Sequence, residues 1–294
     1  MKYFFELLVN GLMLGGLYGV VALGLVLIYK ATKVFNFAQG ELVMIGAYFF
    51  YTLVSICGLP IWLGFIGMFL ICSLLAYLLE RSVLRPLVGQ PMLAIIMMTI
   101  CLSATLKGFV TLLWGGRRQI LPEFIPKESL VIAGIHISQH LLWCFIAAVL
   151  ATLIFAFFFR YTYAGLIMRA TADGHNAARS VGVKVPRVFV QTWVISSVLA
   201  GIAGVFIGTL QGVDPELGHI GIVALPVALL GGLDSISGAI LGGLIVGITE
   251  TLGAGYLDAM VGGGLREITP FVVMAIIVLI RPYGLFGLEK IERI

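Results

Sequence analysis

Charge is scarce in this chain. Only 11% of its 294 residues are Asp, Glu, Lys or Arg, while 61% are hydrophobic, and the mean hydropathy is +1.12. Soluble domains carry roughly twice that charge. Apolar runs near the ~20 residues of a bilayer-crossing helix recur along the chain. They do not alternate apolar with polar residues, which argues against a membrane-spanning barrel. The fold class expected is therefore all-α, a polytopic transmembrane helical bundle.

Other absences exclude chemistry. The four cysteines, Cys57, Cys72, Cys101 and Cys144, are far apart and lack metal-ligand spacing. They read as buried thiols. Of four histidines, His136 and His140 stand four apart with no third ligand nearby, so no metal site is expected. No nucleophile–base arrangement stands out, so no catalytic residue and no enzyme activity are expected, and no cofactor is implied. No lysine follows a glycine, so the phosphate-binding Gly-x-x-x-x-Gly-Lys-Ser/Thr loop is missing. Ionisable residues within the apolar runs are few: Lys107 and Glu250, with Asp234 at a break. That is too few for a proton-relay ladder. Lys107 and Glu250 lie toward the same ends of their runs, where long side chains are expected to snorkel.

What is present is a series of apolar runs, at 7–29, 40–57, 61–79, 91–114, 139–160, 188–210, 220–254 and 267–280. The first is too long for a signal-peptide core and reads as a retained span. The run at 220–254 is too long for one span and too short for two. Gly231-Gly-Leu-Asp-Ser-Ile-Ser-Gly238 interrupts it, and Asp234 or Ser235 can cap a new helix there. A half-helix over 220–231 and a full span over 236–254 are expected. This makes about eight spans plus one broken half-helix, in a single membrane domain over 1–294.

Charge placement supports the break. Twelve of the eighteen Lys and Arg residues fall on one side if the half-helix dips in and returns. They are Lys30, Lys33, Arg81, Arg85, Arg160, Arg169, Arg179, Lys184, Arg187, Arg281, Lys290 and Arg293. The positive-inside rule then puts the N-terminus outside and the C-terminus in the cytoplasm. The opposite side receives Asp214, Glu216, Asp258, Glu267 and a mixed loop with Arg117, Arg118, Glu123, Lys127 and Glu128.

Three patterns bear on mechanism. Gly11, Gly15 and Gly19 stand four apart, as do Gly238 and Gly242, and Gly243 and Gly247. Such spacing lets helices approach closely, either within the chain or against a second subunit. Second, residues 163–187 form a polar, basic interruption on the expected cytoplasmic side. Leu166, Ala170, Ala177 and Val181 share one helical stripe, and Arg169, Asp173, Asn176 and Ser180 share another. Arg169 and Asp173 are spaced to pair. Gly182 is placed to end the helix and Pro186 to prevent its resumption. Such a helix either rests on headgroups or meets a partner protein. Its mixed-sign polar face and lack of interfacial aromatics disfavour the first. Third, Asn36, Gln39 and Glu41 precede an apolar run. Asn36 or Glu41 is expected to cap it, or the three form a polar patch at the inner mouth of a pathway.

Several stretches carry a family resemblance in order along the chain. They are Asn10-Gly-Leu, Ala22-Leu-Gly-Leu, Asn36-Phe-Ala-Gln-Gly40, Gly46-Ala-Tyr48, Glu80-Arg81 with Arg85-Pro86-Leu87, Met168-Arg169-Ala170, Leu199-Ala-Gly-Ile-Ala-Gly-Val205, Leu230-Gly-Gly-Leu-Asp-Ser235 and Arg281-Pro-Tyr-Gly-Leu-Phe-Gly287. Together they resemble the LivH-type permease subunit of branched-chain amino-acid ABC importers. Asn176-Ala-Ala-Arg-Ser-Val-Gly182 looks like the Glu-Ala-Ala-x-x-x-Gly motif that seats a coupling helix in the ATPase, with Asn176 in place of Glu. Gln39 stands where the family often has His.

The resemblance implies a bacterial inner-membrane importer. Its expected partners are a second, LivM-like permease, two cytoplasmic ATPases and a periplasmic binding protein delivering leucine, isoleucine or valine. It also implies ATPase coupling through Arg169, Asp173, Asn176, Ala177, Ala178 and Gly182. Families importing urea, short amides or simple sugars share the architecture. An ATP-independent secondary carrier is the competing reading from a different class.

Overall fold

The structure is a computed structural model that describes residues 2–126, 129–132 and 135–287. Among them are eleven α-helices: α1 Lys2–Thr32, α2 Gln39–Tyr51, α3 Ile61–Leu79, α4 Met92–Trp114, α5 Gln139–Tyr161, α6 Tyr163–Asp173, α7 His175–Ser180, α8 Val185–Gln211, α9 Ile220–Gly231, α10 Ile236–Val261 and α11 Leu265–Ile280. The protein is an essentially all-α polytopic membrane bundle; among the described residues seven helices are long and apolar enough to cross a bilayer, counting α2 with its π-helical continuation to Ile56. The eighth expected run is α11. Its 16 residues rise only about 24 Å at 1.5 Å each, short of a ~30 Å hydrocarbon core.

The predicted break is present at the expected residues. α9 ends at Gly231, Gly232 takes φ +100°, and α10 begins at Ile236. Ser235 is the cap, its Oγ accepting from the Gly238 N–H at 3.0 Å. Asp234, the other proposed cap, is half-buried beside it. One small element was not expected: strands β1 (Ser129–Ile132) and β2 (Ile135–Ser138) pair antiparallel, with Ser129 opposite Ser138. Lys127, Glu128, Lys290 and Arg293 of the charge argument lie outside the described residues.

The chain divides into two compact units. Unit 1 comprises residues 1–26, 125–148 and 223–294. Here α1 and α10 meet through their glycines. A Cβ on Gly15 would lie 2.8 Å from the Leu244 Cα, and one on Gly11 would lie 2.7 Å from the Gly247 carbonyl oxygen. Gly242 likewise meets the Val227 carbonyl of α9. The glycine stripes are therefore used inside the chain, where backbone contact replaces a hydrophobic drive that lipid cannot supply. Glu250 departs from expectation. It does not snorkel: its side chain is 2% exposed, and Oε1 accepts from Arg266 Nε at 2.7 Å and Tyr18 Oη at 3.1 Å. A carboxyl group held among helices meets a cation and a hydroxyl of neighbouring helices rather than reaching water.

Unit 2 comprises residues 27–124 and 149–222. α2 is its buried axis, packed on α8 and α3. Gly46 lies against Gly201, and Gly204 against the Val43 backbone. The spans on its rim leave large apolar side chains outward, including Leu70, Leu74 and Leu153, as lipid-facing helices do. Two ion pairs join α4 and the loop after it to the start of the 215–219 turn: Lys107 reaches Glu216 at 2.9 Å, and Arg118 reaches Asp214 at 3.2 Å. Lys107 thus reaches an exposed end, as its position suggests, and finds a carboxylate there.

Candidate functional site

The first site is built at the start of α2. The helix begins at Gln39, and its cap residue Ala38 makes no side-chain cap bond. Asn36 does not cap the helix as proposed. Its Oδ1 accepts from the Ala38 N–H at 3.1 Å, which closes a local turn before the helix. Its Nδ2 donates to Gln39 Oε1 at 3.2 Å, and the Ser196 hydroxyl of α8 donates to the same oxygen at 3.1 Å. Asn36, Gln39 and Ser196 are all essentially shut from solvent.

Glycines make this seam possible. A Cβ on Gly40 would collide with the Gly218 carbonyl and lie 2.8 Å from the Gly221 N–H nitrogen, so the start of α2 lies directly on the start of α9. Glu41 follows, 8% exposed, with Oε1 facing Gly218. Three polar atoms remain without a partner here and along α2: Gln39 Nε2, Glu41 Oε2 and Tyr48 Oη. One spare amide donor and one spare carboxylate oxygen, both buried, are the complement of a zwitterion's carboxylate and ammonium. Asp234, the fourth residue proposed for the pathway, lies in unit 1 between α9 and α10. Ser196 was missed in the sequence. The Ser196-Ser197 pair within an apolar span was its only signal.

The second site is the segment between α5 and α8. It is two helices rather than one. α6 ends at Asp173, Gly174 is extended, and α7 runs from His175 to Ser180. Thr162 caps α6, its Oγ1 accepting from the Gly165 N–H at 3.1 Å. Gly182 ends α7 with φ +87°, where a side chain would be strained, and its N–H donates to the Arg179 carbonyl. Pro186 stands in the first turn of α8, so it starts the next helix as well as preventing the last from continuing.

The faces of this segment differ from the expected pairing. Arg169 does not pair with Asp173. It turns to the end of α5, donating to the Phe159 and Arg160 carbonyls and stacking on the Phe159 ring at 5.5 Å. These are orphan carbonyls of a helix end, where a cation is favoured. Ala178 is buried against Val185 and Phe189 and anchors α7 to α8. His175 Nε2 lies 2.8 Å from the Ala31 carbonyl near the end of α1, and its ring meets Phe189 edge-on. The apolar stripe is turned outward. Leu166 is 52% and Val181 77% exposed, with Ala177, Asp173, Asn176 and Ser180 exposed beside them. An amphipathic segment that buries Met168 and Ala178 and presents Leu166 and Val181 among polar groups has the make-up of a docking surface.

The ends of the spans near this segment share one side. A cleft is lined jointly by Thr32 after α1, Glu80 and Arg85 after α3, Ile95 of α4, His175 and Arg179 of α7, and Trp193 of α8. Arg85 and Arg179 therefore belong to one end of unit 2, with Lys30, Lys33 and Arg81 close in sequence to its lining residues. No group of three or more His, Cys, Asp or Glu residues suited to a metal ion occurs among the described residues.

A family model described as branched-chain amino acid transport system / permease component matches residues 7–281. The chain is 32% identical to the high-affinity branched-chain amino acid transport system permease protein LivH of Salmonella typhimurium, over 99% of this chain and 98% of that protein. BraD of Pseudomonas aeruginosa, named in the same terms, is 30% identical over 99% and 98%. A probable branched-chain amino acid transport permease of Methanocaldococcus jannaschii is 30% identical over 94% and 90%. In fold, the chain is like the solved PsaBC from Streptococcus pneumoniae in complex with Fab, with a TM-score of 0.52, 14% identity, and 93% and 91% coverage. By the match over nearly its whole length, the chain belongs to the family of branched-chain amino acid transport permease components.

Proposed function

We propose that this chain is the permease subunit of an ATP-driven importer of branched-chain amino acids in the bacterial inner membrane. Separate cytoplasmic ATPases power it, a second LivM-like permease completes the pathway, and a periplasmic binding protein delivers the substrate. The observation that carries this reading is the outward-facing α6–α7 segment in a chain of this family. It is a short, capped, two-helix spur at the basic end of the spans. Its buried side is fastened to α1, α5 and α8, and its free side is amphipathic.

In this reading ATP-driven closure of the ATPases pushes on Leu166, Asn176, Ala177 and Val181. Arg169 and Ala178 hold the spur to its helices, and Gly182 gives it a sharp end. The push is conveyed through His175 to α1 and through Ala178 to α8. Because α8 carries Ser196, movement of α8 reaches the seam at Gln39 and Glu41. That seam is proposed as the polar element of the pathway, and few other charges stand in the spans to hinder an apolar amino acid. The basic end faces the cytoplasm and the acidic end outward.

Co-reconstitution with candidate ATPases, second permease and binding protein tests this. ATP-dependent uptake of labelled leucine should exceed that of urea. Uptake of urea alone would move the chain to an amide importer, and leucine flux without any ATPase would make it a carrier.

A further inference from the structure

The cleft among the span ends has a volume of about 170 Å³ and a two-part wall. One part is apolar, from Leu84, Val88, Ile95, Phe189 and Trp193. The other is polar, from Glu80, Arg85, His175 and Arg179. The charges do not cancel. Glu80 is 2% exposed and is matched by Arg85, whose Nε and Nη2 reach its two oxygens at 3.3 and 3.0 Å. His175 is held at the Ala31 carbonyl. Arg179 is exposed and has no ion pair among the described residues, so the cleft keeps one unmatched cation beside an apolar wall.

Its level in the membrane follows from its lining. It sits where α1 and α3 end and α4 and α8 begin, which is where hydrocarbon gives way to headgroups. Apolar surface continues from exposed Val88 in the cleft to the start of α4, where Met92 is 51% and Leu93 67% exposed. An occupant should thus carry an anion at one end and hydrocarbon at the other. A bare anion leaves the apolar wall unused.

We propose that this cleft binds an anionic phospholipid. Its phosphate meets Arg179 and the open edge of Arg85, which is 40% exposed, and an acyl chain lies along Leu84, Ile95 and Trp193. The bound lipid joins α7 to the end of α3, a third fastening beside His175–Ala31 and Ala178–Phe189. The spur is then held more firmly when anionic lipid is present. The assignment does not depend on which substrate the protein carries.

Trp193 in the wall supplies the readout. The purified full chain in detergent is titrated with dibrominated phosphatidylglycerol or dibrominated phosphatidylcholine, and the component due to Trp193 is taken as the difference from Trp193→Phe. Phosphatidylglycerol should quench it at about tenfold lower concentration than phosphatidylcholine. Arg179→Gln should abolish that preference, Arg179→Lys should keep part of it, and Arg187→Gln, a basic residue outside the lining, should keep all of it. Equal quenching by both lipids, or an unchanged preference in Arg179→Gln, overturns the proposal. So does displacement by millimolar inorganic phosphate, which would show a free-anion site instead. The readout needs no transport, so its failure is separate from failure of the transporter reading.

Discussion

Two polar interruptions meet opposite fates in this chain. The polar side chains of residues 36–41 are sealed: Asn36 and Gln39 are 1% and 0% exposed. Residues 163–187 are as polar, yet they place Leu166 and Val181 on the surface. The difference lies in partners. The first segment, through its own Gly40, meets Gly218 and Gly221, and it meets a hydroxyl at Ser196, so backbone comes close and hydrogen bonds replace water. The second has carbonyls of α5 for Arg169 and a small pocket for Ala178, but among the described residues its outer face stays exposed. Polarity by itself therefore does not set exposure here. In the proposed reading, the sealed polar patch serves the chain's own pathway and the uncovered apolar one meets a partner.

That contrast breaks most readily at glycine. Gly40→Val puts a side chain into the Gly218 backbone, which cannot yield as a flexible side chain does. It should cost about 3 kcal/mol or more and strip folded protein from the membrane, as read by detergent-solubilised melting. Gly174→Ala, where the nearest atom to a new Cβ is 3.7 Å away and φ is extended, should melt as wild type does. Equal losses would erase the distinction between a sealed and an open segment.

Gln39→Leu is the next largest. It removes the oxygen shared by Asn36 and Ser196 and should cost roughly 1–3 kcal/mol. Uptake should fall further than melting does if the spare amide also meets substrate. A loss of stability with unchanged leucine uptake per folded molecule would remove Gln39 from the pathway.

Arg169 and Asp173 sharpen the reading of the outer segment. Arg169→Ala frees the carbonyls at the end of α5 and should cost about 1 kcal/mol, while Asp173→Ala should be within about 0.5 kcal/mol of wild type. A double-mutant cycle should give a coupling near zero. A coupling of about 0.5 kcal/mol would restore the ion pair that their spacing suggests.

The spans and the broken element were legible because they rest on periodicity and on glycine. α3 begins and ends where its apolar run does, and Gly231–Ser235 marks the gap between α9 and α10. Side-chain direction was not legible. The spacing of Arg169 and Asp173 allows a pair, but two nearer carbonyls compete for the guanidinium. The pattern at 163–182 has one apolar stripe, but only tertiary packing decides that Ala178 and Met168 face in while Val181 faces out. Glu250 illustrates the same limit, since Arg266 lies sixteen residues away on another helix. Ser196 and His175 were hidden because their partners, Gln39 and Ala31, are more than a hundred residues distant.

The smallest expected effect on stability carries the most weight for function. Cysteine at Val181 should leave melting within about 0.5 kcal/mol of wild type, because the side chain is 77% exposed. In the assembled, ATP-competent complex, a photocrosslinker attached at that cysteine should capture the ATPase subunit, and one at buried Met168 should not. Val181 labelled instead from the periplasmic side, or giving no ATPase crosslink in a complex that transports leucine, would contradict the account.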